Sequence, residues 1–299
     1  MMNRRGFLQT AGLLAAGALG GLSARSAAAG PITRKGDPVF RVGCAAFSYR
    51  KYMTAQESPM TWDDFLNVAA GMGLDGVELT SYYFPPDVDV AYINRVKRRA
   101  FLLGLDISAT SVGNRFTHPA GAERDKQIAL VKAWIDHASE MGAPCMRVFA
   151  GSVPQNSSSE QAMKWVVECL EECVPLAERR GVILALENHG GVTAGAGQIV
   201  SMIEAVKSDW VGINLDAGNF RTDDPYADIA LAAPYAVTTH IKTEVRPAGQ
   251  DARAVDLKKV TEILSGIGYR GYLTLEYEGQ EDPKTGVPSF IRKLKDVVG

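Results

Sequence analysis

Cysteine is scarce in this chain, with four in 299 residues. That is far below the density of a disulfide-stapled scaffold, and Cys169 and Cys173 stand four apart on one helical pattern, too far apart at Cβ to bridge without distortion. Stability must therefore come from a packed core. An excess of charge of one sign is missing too. The 32 Lys and Arg against 34 Asp and Glu leave a formal charge of -2, a field too weak and of the wrong sign to gather a polyanion, which argues against nucleic acid as a partner. No apolar run reaches the roughly 20 residues of a membrane span, and no G-x-G-x-x-G or Walker loop cradles a phosphate. Histidine is limited to His118, His137, His189 and His240. What is present, 46% hydrophobic and 22% charged residues with 30 Gly and 14 Pro, is the composition of an ordinary globular enzyme.

Residues 1–29 read as an address. Arg4-Arg5 precede Phe7-Leu8, a short apolar run fills residues 13–22, and Ala27-Ala28-Ala29 supply a small-residue cleavage site. The paired arginines resemble a twin-arginine export signal. The expectation is cleavage near Ala29, a mature chain of residues 30–299 with no stable membrane anchor, and a periplasmic location; a leader retained as an anchor is the alternative.

From residue 40 onward one unit recurs: a helical pattern, a Gly, then a short apolar run ending in polar residues. It starts at Gly73, Gly104, Gly142, Gly181 and Gly268, where Gly past a helix end supplies the left-handed residue that turns the chain into the next strand. Between the runs, Ile128, Val131, Ile135, Ala138 and Met141 recur at helical spacing, as do Met163, Val166, Leu170 and Leu176, and Leu257, Val260, Leu264 and Ile267. With residues 40–48, 211–216 and 236–242 the strands number eight. Eight parallel strands alternating with helices over this length predict an α/β fold, a single (β/α)8 TIM barrel of about 250 residues. A doubly wound open sheet is the competitor, without its phosphate loop.

In such a barrel the chemistry hangs from the C-terminal ends of the strands. Strands five to eight end in Glu187, Asp216, His240 and Glu276. Three carboxylates and an imidazole at one mouth repel one another if bare, because like charges raise one another's pKa, and a divalent cation resolves the conflict. Hard oxygen donors with one nitrogen point to Mn²⁺ first, then Mg²⁺ or Co²⁺, with Zn²⁺ as a further option. Taken singly, the glutamates read equally as salt-bridge partners, Asp216 as a helix cap and His240 as a core histidine.

The motifs L-E-N-H-G-G at 186–191, I-N-L-D-A-G-N at 213–219, H-I-K at 240–242 and G-Y-x-G-x-L-x-L-E at 268–276 resemble the xylose isomerase-like TIM-barrel superfamily. This sugar isomerase and epimerase group includes D-tagatose 3-epimerase, inosose dehydratase and endonuclease IV. The resemblance implies that Glu187, Asp216, His240 and Glu276 hold the metal and that the two glutamates exchange a proton with a substrate carbon through a metal-stabilised enediolate. It also implies that Arg246 binds substrate. Asn219 departs from the pattern: it stands where the epimerases and inosose dehydratase carry a histidine, and an amide cannot carry a proton at neutral pH, which argues against a free-ketohexose epimerase. Four histidines are too few for the three zinc ions of endonuclease IV.

Further substrate contacts fall by position on His189, Lys242, Glu78 and Arg147. Asn188 and His189 are placed to orient Glu187, to bind a substrate hydroxyl or only to structure their loop, and Lys242 to pair with a carboxylate or a carbonyl oxygen or to lie in a surface salt bridge. Glu78 and Arg147 line the mouth or pair with each other. Tyr82-Tyr83-Phe84 cover a sugar face or pack a loop, and Asp256 is an N-cap. The functional expectation is a metal-dependent isomerase or epimerase acting on a non-phosphorylated sugar or keto-sugar. A carbon–oxygen lyase acting on a keto-sugar, keto-glycoside or inosose is the runner-up, and a non-catalytic sugar-binding barrel the third reading. The partner is a small-molecule carbohydrate, with a homodimer as a family-implied option.

Overall fold

The computed structural model describes residues 30–299; the expected export leader lies outside the described residues. Eight parallel strands close into a barrel: β1 (Val39–Ala45), β2 (Gly76–Thr80), β3 (Asp106–Ser111), β4 (Cys145–Val148), β5 (Ile183–Glu187), β6 (Val211–Asp216), β7 (Ala236–Ile241) and β8 (Arg270–Leu275). Each pairs with its sequence neighbours, and β1 closes on β8 through the register Val39↔Arg270 to Cys44↔Leu275. The barrel expected from the recurring αβ unit is therefore the one observed.

The helices form the outer ring: α1 (Trp62–Gly71), α2 (Val90–Leu102), α3 (Ala122–Met141), α4 (Ser159–Arg180), α5 (Ala196–Ala205), α6 (Pro225–Ala232), α7 (Leu257–Gly266) and α8 (Pro283–Val298). Their starts are capped by side chains the sequence supplies. Thr61 and Asp64 form a reciprocal capping box on α1, Ser158 caps α4, and Asp256 accepts from the Lys259 amide on α7, the role expected of it. Gly142 and Gly181 end α3 and α4 in the left-handed conformation at φ 79° and 68°, where a side chain would be strained.

The predicted stripes face the barrel, although Leu257 and Ile267 at the ends of the α7 stripe are only partly buried. On α4 the buried face is Ala162, Val166, Cys169, Leu170, Cys173 and Ala177, while Leu176 and Met163 are only partly buried. The two cysteines are core methyl-sized groups, free thiols whose pKa burial pushes up to about 11 and about 12. Another adjustment concerns β1. Residues 46–49 are not strand but a 3-10 turn, because Ser48 is turned inward to donate to the Leu275 carbonyl and accept from the Tyr277 amide. His137 lies on the outer ring, edge-on to Trp134 at 5.2 Å, as expected of a structural residue. Among the described residues no helix is long and apolar enough to cross a membrane.

Leu170 is fully buried between helix and barrel. Leu170→Ala is expected to destabilise the fold by about 2–5 kcal/mol, the cost of a core cavity, seen as a lower urea midpoint with unchanged slope.

Candidate metal centre

The four expected ligands come together at the C-terminal mouth. One ligand atom from each of Glu187, Asp216, His240 and Glu276 lies within 4.8 Å of every other, and all four residues are buried. Strand register explains the convergence. Glu187 and Asp216 are the last residues of β5 and β6, Asp216 pairs with His240 on β7, and the Glu276 amide donates to the Ile241 carbonyl just past β8.

His240 is aimed by a residue from across the barrel. Its Nε2 lies 2.8 Å from Glu78 Oε2 on β2, which leaves Nδ1 facing Glu187, Glu276 and Asp216 at 3.6, 3.6 and 3.9 Å. A carboxylate gripping the far nitrogen fixes ring orientation and raises basicity, as it does for metal-bound histidines. Asn214 Nδ2 lies 3.1 Å from both Glu187 Oε2 and His240 Nδ1. Asn188 clamps Asp216 by accepting from its amide at 2.8 Å and donating to its carbonyl at 2.9 Å. It therefore positions Asp216 rather than Glu187, the reverse of the sequence expectation.

Cations compensate the carboxylates. Arg147, fully buried, sets Nε 3.1 Å from Glu187 Oε2, so its partner is Glu187 and not Glu78. Lys242 is buried, not a surface residue, and its ammonium donates to Glu276 and Glu278 while standing 3.4 Å from Asp216 Oδ2. Asn219 donates to Glu187 Oε1 at 3.2 Å. His189 does not reach the cluster by hydrogen bond: its amide donates to Thr193, and its ring lies on Phe149 with centroids 4.5 Å apart. Arg246 is exposed and lines a hollow of about 260 Å³ with Asn219, Lys242 and Glu278. Of the aromatic trio, Phe84 packs between Trp62 and Trp134, and Tyr82 is exposed.

The donor set fits a hard divalent cation. Asp216 Oδ2 is buried without a hydrogen-bond partner, an orphan whose desolvation a metal bond would repay. Burial pushes the Asp216 carboxyl up to about 7, against the pull of Lys242 and with Glu187 and Glu276 adding to the rise. Burial also raises Glu187, against the pull of Arg147 and His240. Glu276 goes the other way: burial works to lift it, but His240, Lys242 and Arg147 outweigh burial and hold it at about 2. For His240 burial disfavours the charge, yet Glu78 and Glu276 lift it to about 10.

These features define a parallel barrel whose mouth carries a carboxylate and imidazole ligand set. The sequence profile described as xylose isomerase-like TIM barrel matches residues 66–297, and the chain belongs to that family. Solved structures share the fold. The D-psicose 3-epimerase with D-tagatose from Clostridium cellulolyticum H10 is 16% identical with a TM-score of 0.71, covering 86% of this chain and 99% of that one. The 3-keto-D-glucoside 4-epimerase from E. coli is 18% identical at 0.69, covering 86% and 99%. A xylose isomerase domain protein from Planctomyces limnophilus is 20% identical at 0.67, covering 87% and 98%. No curated protein matches the chain.

Sequence reading had not paired Glu78 with His240, nor singled out Asn214 or Glu278. Asn214 carried a signal: it stands two residues before Asp216 on β6, hence on the same strand face.

Glu78→Gln is expected to weaken Mn²⁺ binding about 10- to 100-fold, the usual cost of losing a carboxylate behind a ligating histidine, with calorimetry as the measurement. Because the metal takes deprotonated ligands, protons held by Asp216 and His240 must leave when it binds. Mn²⁺ affinity should therefore rise with pH through about 7, and titrations at pH 6 in buffers of different ionisation enthalpy should show net proton release.

Proposed function

We propose that this chain is a divalent-metal-dependent enzyme that moves a proton at the carbon beside a carbonyl in a non-phosphorylated sugar or keto-sugar, as an epimerase or isomerase. The observation that carries this reading is the four-ligand cluster with a glutamate at each end of it, Glu187 from β5 and Glu276 past β8. The epimerases among its structural neighbours agree with it. Export through the Arg4-Arg5 leader belongs to the same proposal, since phosphorylated sugars are mainly cytoplasmic and the chain has no phosphate loop.

Glu187, Asp216, His240 and Glu276 hold the cation, with Mn²⁺ preferred for three oxygen donors and one nitrogen. A divalent cation there supplies a Lewis acid that polarises a carbonyl and stabilises the negative charge left when a neighbouring proton departs. The protein's part is divided unequally. Glu187, raised by burial, is the better base, because a base works best with a pKa near the working pH. Glu276, held at about 2 by its cationic neighbours, is a firm anchor and a poor base. Asn214 and Asn219 donate to the two Glu187 oxygens and fix its direction, with the Arg147 guanidinium in an ion pair beside them, and Lys242 stands over Glu276 and Asp216 with protons to donate.

That asymmetry favours a second reading, a carbon–oxygen lyase. One base, Glu187, would take the proton, and the buried Lys242 ammonium would protonate the departing oxygen, so that water or an alcohol leaves as the double bond forms. Asn219 agrees with both readings as a hydrogen-bond donor that carries no proton.

Turnover of ketoses and keto-glycosides in D₂O, followed by proton NMR with Mn²⁺ present, should place one deuterium beside the carbonyl for an epimerase, or give an unsaturated product for a lyase. Glu187→Gln should lower kcat about 10²- to 10⁴-fold, the usual contribution of a general base. Undiminished turnover after exhaustive chelation would sink the proposal.

A further inference from the structure

Beside the charged cluster lies a separate cavity of about 660 Å³ that includes none of the four ligands. It opens between the loops that follow β2, β3, β4 and β5, and Tyr82, Phe149 and His189 line it, with Arg115, His118 and Val153 among its other walls. Its volume lies well inside the roughly 300–1,000 Å³ range of small-molecule sites.

The cavity is built, not incidental. Asn114, 1% exposed, accepts from the Phe149 amide at 3.0 Å and donates to the Phe149 carbonyl at 2.8 Å, so the β3 loop fixes the backbone that carries the ring. Loops of neighbouring strands are then locked at backbone distance. The Phe116 amide donates to the Ala150 carbonyl at 2.7 Å and the Val192 amide to the Gly151 carbonyl at 3.3 Å. At Gly191, φ +55°, a Cβ would stand 2.3 Å from the Gly151 carbonyl. Gly113 is needed for a different reason: a Cβ there would meet the Tyr82 ring at 2.6 Å, so glycine lets the tyrosine pack close against the β3 loop.

The cavity also adjoins the chemistry. Arg147, whose Nε pairs with Glu187, lies with its guanidinium carbon 3.8 Å from the centroid of the Phe149 ring, and its Nη1 reaches the Tyr82 hydroxyl at 3.5 Å. One side chain thus spans from the base to two walls of the cavity. Aromatic side chains interleaved with hydrogen-bonding groups line a cavity that suits a pyranose or aryl ring, each of which has apolar faces.

We propose that this cavity is a subsite for a second ring joined to the reacting sugar, so that the preferred substrate is a keto-glycoside, with its carbonyl on the reacting ring, rather than a free ketose. The inference rests on the reading of the charged cluster as the reaction centre. Tyr82, Phe149 and His189 hold the outer ring, and the reacting ring extends past Arg147 toward Glu187.

The test is calorimetric binding of methyl, phenyl and glucosyl β-glycosides, in D-gluco, D-galacto and D-manno configurations, to the mature chain with Mn²⁺. Phenyl or glucosyl probes should bind at least about tenfold tighter than the methyl glycoside of the same sugar, and the stronger of the two identifies the outer ring as aryl or sugar. Val153→Trp, which fills the cavity from its rim, should erase that difference, and Phe149→Leu, which keeps an apolar side chain but removes the aromatic face, should reduce it. Equal affinities for one-ring and two-ring probes in every configuration, undetectable binding included, overturn the subsite, as does a preference that survives both substitutions. Mn²⁺ titration separates the two readings: a chain that prefers two-ring probes but takes up no metal keeps the subsite and loses the metal centre, and the opposite pair of results does the reverse.

Discussion

Burial of like charges is the constraint around which the barrel mouth is arranged. Glu187, Asp216 and Glu276 sit where water is nearly absent, and each ionised carboxylate taken from water costs several kcal/mol unless it is paired and hydrogen-bonded. The chain meets this with three buried cations of its own, Arg147 against Glu187, Lys242 against Glu276 and a His240 ring that Glu78 and Glu276 hold charged, and with amide donors from Asn214 and Asn219 to Glu187 and from the Gly218 backbone to Asp216. Those groups do not complete the neutralisation. Asp216 Oδ2 keeps no hydrogen bond, and a hard cation is the one further partner whose chemistry matches three oxygens and an imidazole nitrogen. Local backbone is shaped by the same demand. At Gly218 a Cβ would stand 2.6 Å from the Lys242 Cβ and 2.5 Å from the Glu244 carbonyl, so only glycine lets the loop after β6 close on the strand that turns Lys242 inward.

The two glutamates are chemically identical and differ only in company. Glu187 has an amide on each oxygen and a guanidinium paired beside one of them, and burial dominates its pKa. Glu276 has an ammonium in direct contact and an imidazole close by, and those charges dominate burial. Pairs of carboxylates whose surroundings drive them apart in pKa are how proteins divide base and anchor roles between like residues.

Much of this was legible in the sequence, because the features concerned are local. Glycines after helical stripes marked where strands begin, period and length separated helix from strand, and strand ends in a parallel barrel converge by topology, so Glu187, Asp216, His240 and Glu276 were recognisable as a set. What escaped depends on contacts across the barrel. Glu78 and His240 are 162 positions apart on strands that are not neighbours, and no spacing rule pairs them. Residues 46–49 carry a strand-like pattern, yet Ser48 leaves the sheet to join the turn beyond β8. Asn188 follows Glu187 in sequence and so appeared to serve it, but alternation along the strand sends its side chain toward β6 and Asp216.

The barrel divides its labour by strand. Charge collects at the ends of β5 to β8, whereas the loops after β2 to β5 carry rings and close backbone contacts. Parallel barrels permit this because each loop varies without disturbing the strand beneath it. Arg147 joins the two halves: it rises from β4, pairs with Glu187 on β5, and lies on Phe149. A ligand ring pressing on Phe149 or Tyr82 therefore acts on the guanidinium paired with Glu187, so occupancy of the aromatic side bears directly on the geometry of the charged side.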